Sequence, residues 1–280
     1  MNFNDLSIKL DEISQNSSLL RKVDIISELL SNSHERDITN IIYILQGKFA
    51  PEYEKIKLGI SNKLILKSLS KVSGISMELI EKMWGDVGDI GQLSYDIIKS
   101  KKQNNLFNDN LMTSELIEEL NKMSKLEGKG STEEKIKILI KLYSKCEANS
   151  VKYITRMCIE DMRIGAGFGV IRDSISKSFN IDKKTIQSSY DIYPDIANIA
   201  HLIKKNGIKF SKNIKMSPGK PIKVMLFQKA KNIESSFEKL GKKISAEYKY
   251  DGFRLQIHRN NDEIKLFTRN LEEVSKQFPD

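Results

Sequence analysis

Cysteine, histidine and tryptophan are scarce in this sequence, with two, three and one copies in 280 residues. Cys146 and Cys158 fall inside helical patterns and share no metal-ligand spacing. That excludes a disulfide framework and points to two buried thiols in a reducing compartment. His34, His201 and His258 have no ligand spacing either, so no zinc site is expected and no metal ligands are identifiable. Trp84 reads as core instead of a base-stacking platform, and Met157 and Met162 read as helix packing. No apolar run approaches the ~18 residues of a membrane span. Residues 1–14 carry Asp5, Asp11 and Glu12 and no apolar leader segment. A soluble, cytoplasmic protein with no membrane role is expected. The absence of a regular repeat length argues against a solenoid.

What is abundant is positive charge. Lysine and arginine number 46 against 37 acids, for a net charge of +9 and an isoelectric point near 9.2. Such a balance favours a polyanionic partner, because cations that neutralise phosphates release counterions. Hydrophobic residues make up 39%, enough for a packed core.

The chain divides by period. Residues 1–205 read as successive helices with apolar positions recurring at three and four. Leu19, Leu20, Val23, Ile26, Leu29 and Leu30 form one stripe. Ile136, Ile138, Leu139, Leu142 and Tyr143 form another. Ser131 with Glu134 reads as a capping box, Ser76 with Glu78 and Thr113 with Glu115 as further helix starts, and Gly47, Gly74, Gly128 and Gly207 as stops. Lys101 and its polar neighbours to Asn110 read as a surface loop. Residues 206–223, with Pro218, Gly219 and Pro221, read as a basic linker. The twenty residues 204–223 hold seven lysines and no acid. They are either a solvated loop or a phosphate-tracking strap between two domains.

From Ile244 the period becomes two. Ile244, Ala246 and Tyr248 alternate with Ser245, Glu247 and Lys249. Phe253, Leu255 and Ile257 alternate with Arg254, Gln256 and His258. Asn260-Asn261-Asp262 makes a turn, and Ile264 and Leu266 resume. An antiparallel meander is expected, too small to bury a face alone. Within it, Lys249-Tyr250-Asp251-Gly252-Phe253-Arg254 puts Glu247 and Lys249 on one face at a strand end. Gly252 would permit a tight turn at positive φ. An amine, an acid and an arginine beside a turn suit attack on a phosphate: the amine as nucleophile, the guanidinium neutralising oxygens.

These six residues resemble the first motif of the covalent nucleotidyltransferases, and Phe267-Thr268-Arg269-Asn270-Leu271-Glu272 resembles the next motif of DNA ligases, with Thr268 in place of the usual serine. Asp161-Met162-Arg163-Ile164-Gly165 with Gly167 resembles the signature of the helical DNA-binding domain of archaeal and eukaryotic replicative ATP-dependent DNA ligases. Gly88-Asp89-Ile90-Gly91, Leu45-Gln46-Gly47 and Leu58-Gly59-Ile60-Ser61 resemble other stretches of that domain. Pro221-Ile222-Lys223-Val224-Met225-Leu226 looks like the entry to the adenylation domain. The resemblance covers nearly the whole chain.

The resemblance implies a mainly α, helical DNA-binding domain over 1–205, the linker over 206–223, and over 224–280 the first antiparallel β strands of a truncated α+β nucleotidyltransferase domain. It implies that Lys249 becomes lysyl-AMP, that Glu247 contacts adenine, that Arg254 and Arg269 contact the nucleotide, and that Asp251 and Gly252 shape the loop. Arg163, Gly165 and Gly167 become a DNA-backbone site. ATP as AMP donor and Mg2+ follow as cofactors. Nicked double-stranded DNA follows as substrate, a sliding clamp as a candidate partner, and a nucleoid-associated monomer as the working form, serving replication, repair, recombination and cell division. The family's later motifs would lie past Asp280, so the polypeptide is expected to end before its active site is complete and to have little activity alone. A non-catalytic DNA-binding module and a helical protein-interaction scaffold are the competing readings.

Overall fold

A computed structural model describes residues 1–100, 110–224 and 229–278. Residues 101–109 of the expected surface loop, Met225 and Leu226 of the expected adenylation-domain entry, and Asp280 lie outside the described residues.

The helical body consists of α1 (Phe3–Gln15), α2 (Leu19–Asn32), α3 (Glu35–Leu45), α4 (Asn62–Ser73), α5 (Met77–Val87), α6 (Ile90–Ser100), α7 (Thr113–Ser124), α8 (Ser131–Lys145), α9 (Ala148–Cys158), α10 (Phe168–Phe179), α11 (Lys183–Ile192) and α12 (Ile196–Asn206). Apolar stripes fix their pairing: α6 packs on α9, α2 on α10, α3 on α12 and α4 on α8. One continuous core runs through this body from Phe3 to Phe210 and includes Met157, Met162 and both cysteines, with Trp84 packed partly buried against it. Burial pushes both thiols up to about 12, so they stay protonated and inert.

Several local expectations need correction. In α2 the buried set is Lys22, Ile25, Ile26, Ser27, Leu29 and Leu30, while Leu19 and Leu20 are exposed. The stripe starts one turn late because Ser18 caps the helix and leaves its first turn outside the core. In α8 Ser131 is the first helical residue and Gly130, at φ 90, is the N-cap with no side-chain bond, so the capping box does not form. Ser76 does cap α5, accepting the Leu79 amide. Gly74 and Gly207 cap α4 and α12. Gly128 instead lies beyond Lys125, the C-cap of α7.

The expected linker over 206–223 is not all loop: Gly207–Asn213 form a 3₁₀ segment whose Phe210 is buried in the core, and from there the chain runs without regular structure to Val224. A short helix, α13 (Ile233–Leu240), buries none of its residues. The expected hairpin forms, with β1 (Leu255–Asn260) and β2 (Glu263–Thr268) paired antiparallel, Leu255 against Thr268 through Asn260 against Glu263, but Phe253 and Arg254 precede the strand and Asn260 belongs to it instead of to the turn. Asn261 takes φ 54 in the turn, a conformation its short polar side chain tolerates. Phe267, Leu271 and Val274 are its buried residues.

The expected preceding strand does not form. Residues 241–250 are all exposed and without regular structure. Tyr248 and Tyr250 are 89% and 87% exposed, and no strand pairs with them. Alternation alone does not make a strand, because its amides and carbonyls need a partner and its apolar face a cover. Gly252 also departs from expectation: it lies in a bend, and its φ is not positive.

Candidate functional site

Three of the four quoted stretches of the helical body meet at residues 159–167, between α9 and α10. This segment turns twice through left-handed backbone, at Glu160 (φ 57) and Arg163 (φ 52), before Gly165. Asp89 is its anchor. Its Oδ1 accepts the amides of Gly91 and Gln92 at 2.9 and 3.2 Å, capping α6. Its Oδ2 accepts Arg156 Nη2 at 2.8 Å and pairs with Arg163 Nη1 at 3.2 Å. Burial pushes the Asp89 carboxyl up, but the hydrogen bond and charge of Arg156 outweigh it and hold the group below the ordinary carboxylate range.

The glycines here leave room for neighbouring side chains, and Gly47 and Gly165 also take positive φ, 67 and 61. A Cβ on Gly91 would stand 2.7 Å from Arg156 Cγ, and one on Gly47 2.8 Å from Met162 Cγ. Lys22, buried in α2, donates from Nζ to the Ile164 carbonyl at 2.6 Å and fills the space where a Gly165 Cβ would sit. The fourth stretch is held separately, Lys135 donating to the Leu58 carbonyl at 2.7 Å.

Arg163, Gly165 and Gly167 are exposed on this segment. Arg163 Nε donates to Asp161 Oδ2 at 2.8 Å. Gly167 caps α10 with no side-chain bond. The first amides of that helix therefore face no capping side chain, an arrangement suited to phosphate oxygens when an arginine stands beside it.

A cleft lies where the hairpin meets the helical body. Its volume is about 820 Å³, and it is lined by Gly252, Arg254, Thr268, Arg269, Asn270 and Glu272 from the hairpin side, by Glu52 and Lys55 from the body, and by Lys223 from the linker. Arg254 and Arg269 thus share one wall system. Glu52 is partly buried, which pushes its carboxyl up, yet Lys48 and Lys223 prevail and hold it below the ordinary range. Lys249, Glu247 and Asp251 do not line the cleft and are exposed. The expected convergence of amine, acid and arginine is therefore incomplete: the arginines come together and the amine stands outside.

The linker forms the seam between body and hairpin. Lys223 Nζ donates to Tyr190 OH at 3.0 Å and lies over its ring at 4.6 Å. Lys220 lies over Tyr193 at 4.5 Å. Gln256 bonds Ile222 through both ends of its carboxamide, and the Gly219 amide donates to His258 Nδ1 at 3.0 Å. These two lysines grip tyrosine rings, a use that the sequence reading of a phosphate strap did not foresee.

Lys22, Glu52, Lys55, Asp89 and Lys223 were not singled out from sequence as site residues. Asp89 and Lys223 were visible inside quoted stretches. The remaining three carry no local signal, since their roles come from contacts made far along the chain. Among the described residues, no group of three or more histidine, cysteine, aspartate or glutamate side chains is placed to hold a metal ion. No helix among them is long and apolar enough to cross a membrane.

The family described as "DNA ligase N terminus" matches residues 2–176, and that described as "ATP dependent DNA ligase domain" matches residues 224–280. Proteins named DNA ligase are similar over nearly the whole chain. The one from Methanosphaera stadtmanae is 38% identical over 273 residues, covering 96% of this chain and 49% of its own length. The one from Methanobrevibacter smithii is 33% identical, covering 100% of this chain and 51% of its own length. The one from Nanoarchaeum equitans is 32% identical, covering 100% and 49%. The chain belongs to the ATP-dependent DNA ligase family. It spans about half the length of the curated relatives it matches.

Proposed function

We propose that this protein works in an ATP-dependent DNA ligase that seals nicks in double-stranded DNA through adenylate carried on Lys249. The observation that carries the reading is the shared cleft of Arg254 and Arg269, with Lys249 on the segment that runs into it at Gly252. In the first step Lys249 Nζ, having lost its proton, attacks the α-phosphorus of ATP. A P–N bond forms and pyrophosphate leaves. The 5′-phosphate at the nick then attacks the lysyl-bound adenylate, the P–N bond breaks, and AMP is joined to the DNA end. Finally the 3′-hydroxyl attacks that phosphate, giving up its proton as the phosphodiester forms and AMP leaves.

Arg254 and Arg269 offset the charge that builds on phosphate oxygens, aided by Lys223 and Lys55 from the opposite wall. Glu247 reads adenine once its segment folds over the cleft, with Asp251 and Gly252 shaping the approach. Mg2+ would accompany the nucleotide and offset charge on its phosphates. Arg163 and the backbone at Gly165 and Gly167 grip the duplex through its phosphates, without reading sequence. The net charge of +9 supports that partner. The setting is intracellular, on the nucleoid, in replication, repair and recombination and hence cell division. The working form is a monomer on DNA, with a sliding clamp as a candidate companion.

The exposure of Lys249 favours a second reading for the 280-residue chain by itself: a non-catalytic DNA-binding module with a vestigial adenylation motif. Incubation with α-labelled ATP and Mg2+ separates the two. Label that is lost in Lys249→Ala supports the ligase. Binding to nicked duplex without any label supports the module, and failure to bind duplex at any salt concentration supports a scaffold instead.

A further inference from the structure

Two carboxylates hold the guanidinium of Arg163, and they differ in what else they do. Asp161 is 49% exposed, and its bond to Arg163 Nε spans only two residues. An ion pair so open to water contributes little. Asp89 is 17% exposed, and every bond it makes is structural: the amides of Gly91 and Gln92 on one oxygen, Arg156 and Arg163 on the other. Arg156 is itself buried, and its Nε has no partner. Asp89 cannot turn away without uncapping α6 and leaving the buried Arg156 with the Met162 carbonyl, 3.4 Å from its Nη1, as its remaining hydrogen-bond partner.

We propose that Asp89 is a positioning residue that aims Arg163 at a DNA backbone phosphate, and that Asp161 is the placeholder the phosphate displaces. The inference rests on the DNA-backbone reading of Arg163, Gly165 and Gly167. Arg163 has five N–H donors. Its Nε serves Asp161 and one Nη1 donor faces Asp89. When phosphate replaces Asp161, the Asp89 contact persists and fixes the direction of approach. The positive φ at Arg163 is part of the same arrangement, since a left-handed backbone costs a non-glycine residue energy that the surrounding bonds must offset.

The two acids then have opposite effects. Removing a negative charge near DNA strengthens binding if charge is all that matters. Asp161→Asn is expected to tighten binding of a nicked duplex about threefold. Asp89→Asn keeps a good helix cap, because asparagine caps as well as aspartate, but loses the oxygen that faces both arginines. It is expected to weaken binding about tenfold and to make the salt dependence shallower by about one ion. Arg163→Gln is expected to weaken binding similarly, and Asp89→Asn added to it to cost nothing further.

The measurement is a fluorescence titration of the 280-residue chain with nicked duplex across a salt series, with thermal unfolding of each variant alongside. Tighter binding by both aspartate variants, or an Asp89→Asn loss that persists in the Arg163→Gln background, overturns the inference alone. Unchanged binding by Arg163→Gln removes the DNA-backbone reading and the inference with it. If Asp89→Asn does not fold, side-chain nitrogen NMR of the unaltered protein decides: the Arg163 Nε–H resonance must move on adding duplex, and a fixed resonance overturns the exchange.

Discussion

Gln256 and Ile222 bind each other as two strands would, with one partner a side chain. The Gln256 Nε2 donates to the Ile222 carbonyl at 2.6 Å, and its Oε1 accepts the Ile222 amide at 2.8 Å. A carboxamide carries the same donor and acceptor as a peptide group, so it can stand in for one at a sheet edge. This pair, with His258 and Gly219, joins the linker to the hairpin and so shapes the cleft that Arg254 and Arg269 line.

Gln256→Glu therefore sets a carboxylate oxygen against the Ile222 carbonyl. We expect it to lose about 1–3 kcal/mol of local stability, the cost of an unmatched polar group. Hydrogen exchange by mass spectrometry should show faster exchange in residues 219–224 and 255–268 with little change in α1 to α12. Unaltered exchange in the hairpin would show that the pair does not hold the seam.

The seam should also respond to acid. Burial holds the His258 imidazole below its ordinary value of 6.5. With a lower folded than unfolded value, the undocked segment binds the proton more readily. The contribution of docking is thus complete above about pH 6.5 and is lost as the pH falls through the folded-state value. Protonation also removes the lone pair on Nδ1 that accepts the Gly219 amide. The Gly219 amide resonance should shift on acidification in the wild type and stay in place in His258→Gln.

Lys22→Met keeps the aliphatic stem in the core and removes only the ammonium. The Ile164 carbonyl then loses its 2.6 Å partner. A loss of about 1–2 kcal/mol is expected, read as a lower midpoint in urea with an unchanged slope. A midpoint equal to wild type would mean that water replaces the amine.

Lys249→Ala should leave stability within about 0.5 kcal/mol, as substitutions at exposed positions do, while abolishing adenylate labelling. A large fall in the thermal midpoint would contradict the exposed placement of that segment.

Much of this architecture is legible in the sequence where the signal is local. The turn signal at Asn260-Asn261-Asp262 fixes the hairpin and its register, and three- and four-residue spacing marks the helices of the body. Legibility fails where the outcome depends on a distant partner. Residues 244–249 alternate like a strand, yet no strand pairs with them, so they remain exposed and without regular structure. Lys22 carries no local signal for burial, and a carbonyl 142 residues away draws it inside. Ser131 and Glu134 have the spacing of a capping box, and the left-handed Gly130 takes the cap position instead. Arg254 and Arg269 were paired by motif alone, and the structure adds what motif reading lacked: the opposite wall, made by Glu52, Lys55 and Lys223.

The crowding at Gly47, Gly91 and Gly165 ties four separate parts of the chain to one another's size. Arg156 occupies the space beside Gly91, Met162 that beside Gly47, and Lys22 that beside Gly165. Across divergent sequences the Gly91–Arg156 pair should therefore change in concert, a side chain gained at one matched by a shorter one at the other, whereas Gly47 and Gly165, at φ 67 and 61, disfavour any side chain whatever stands opposite.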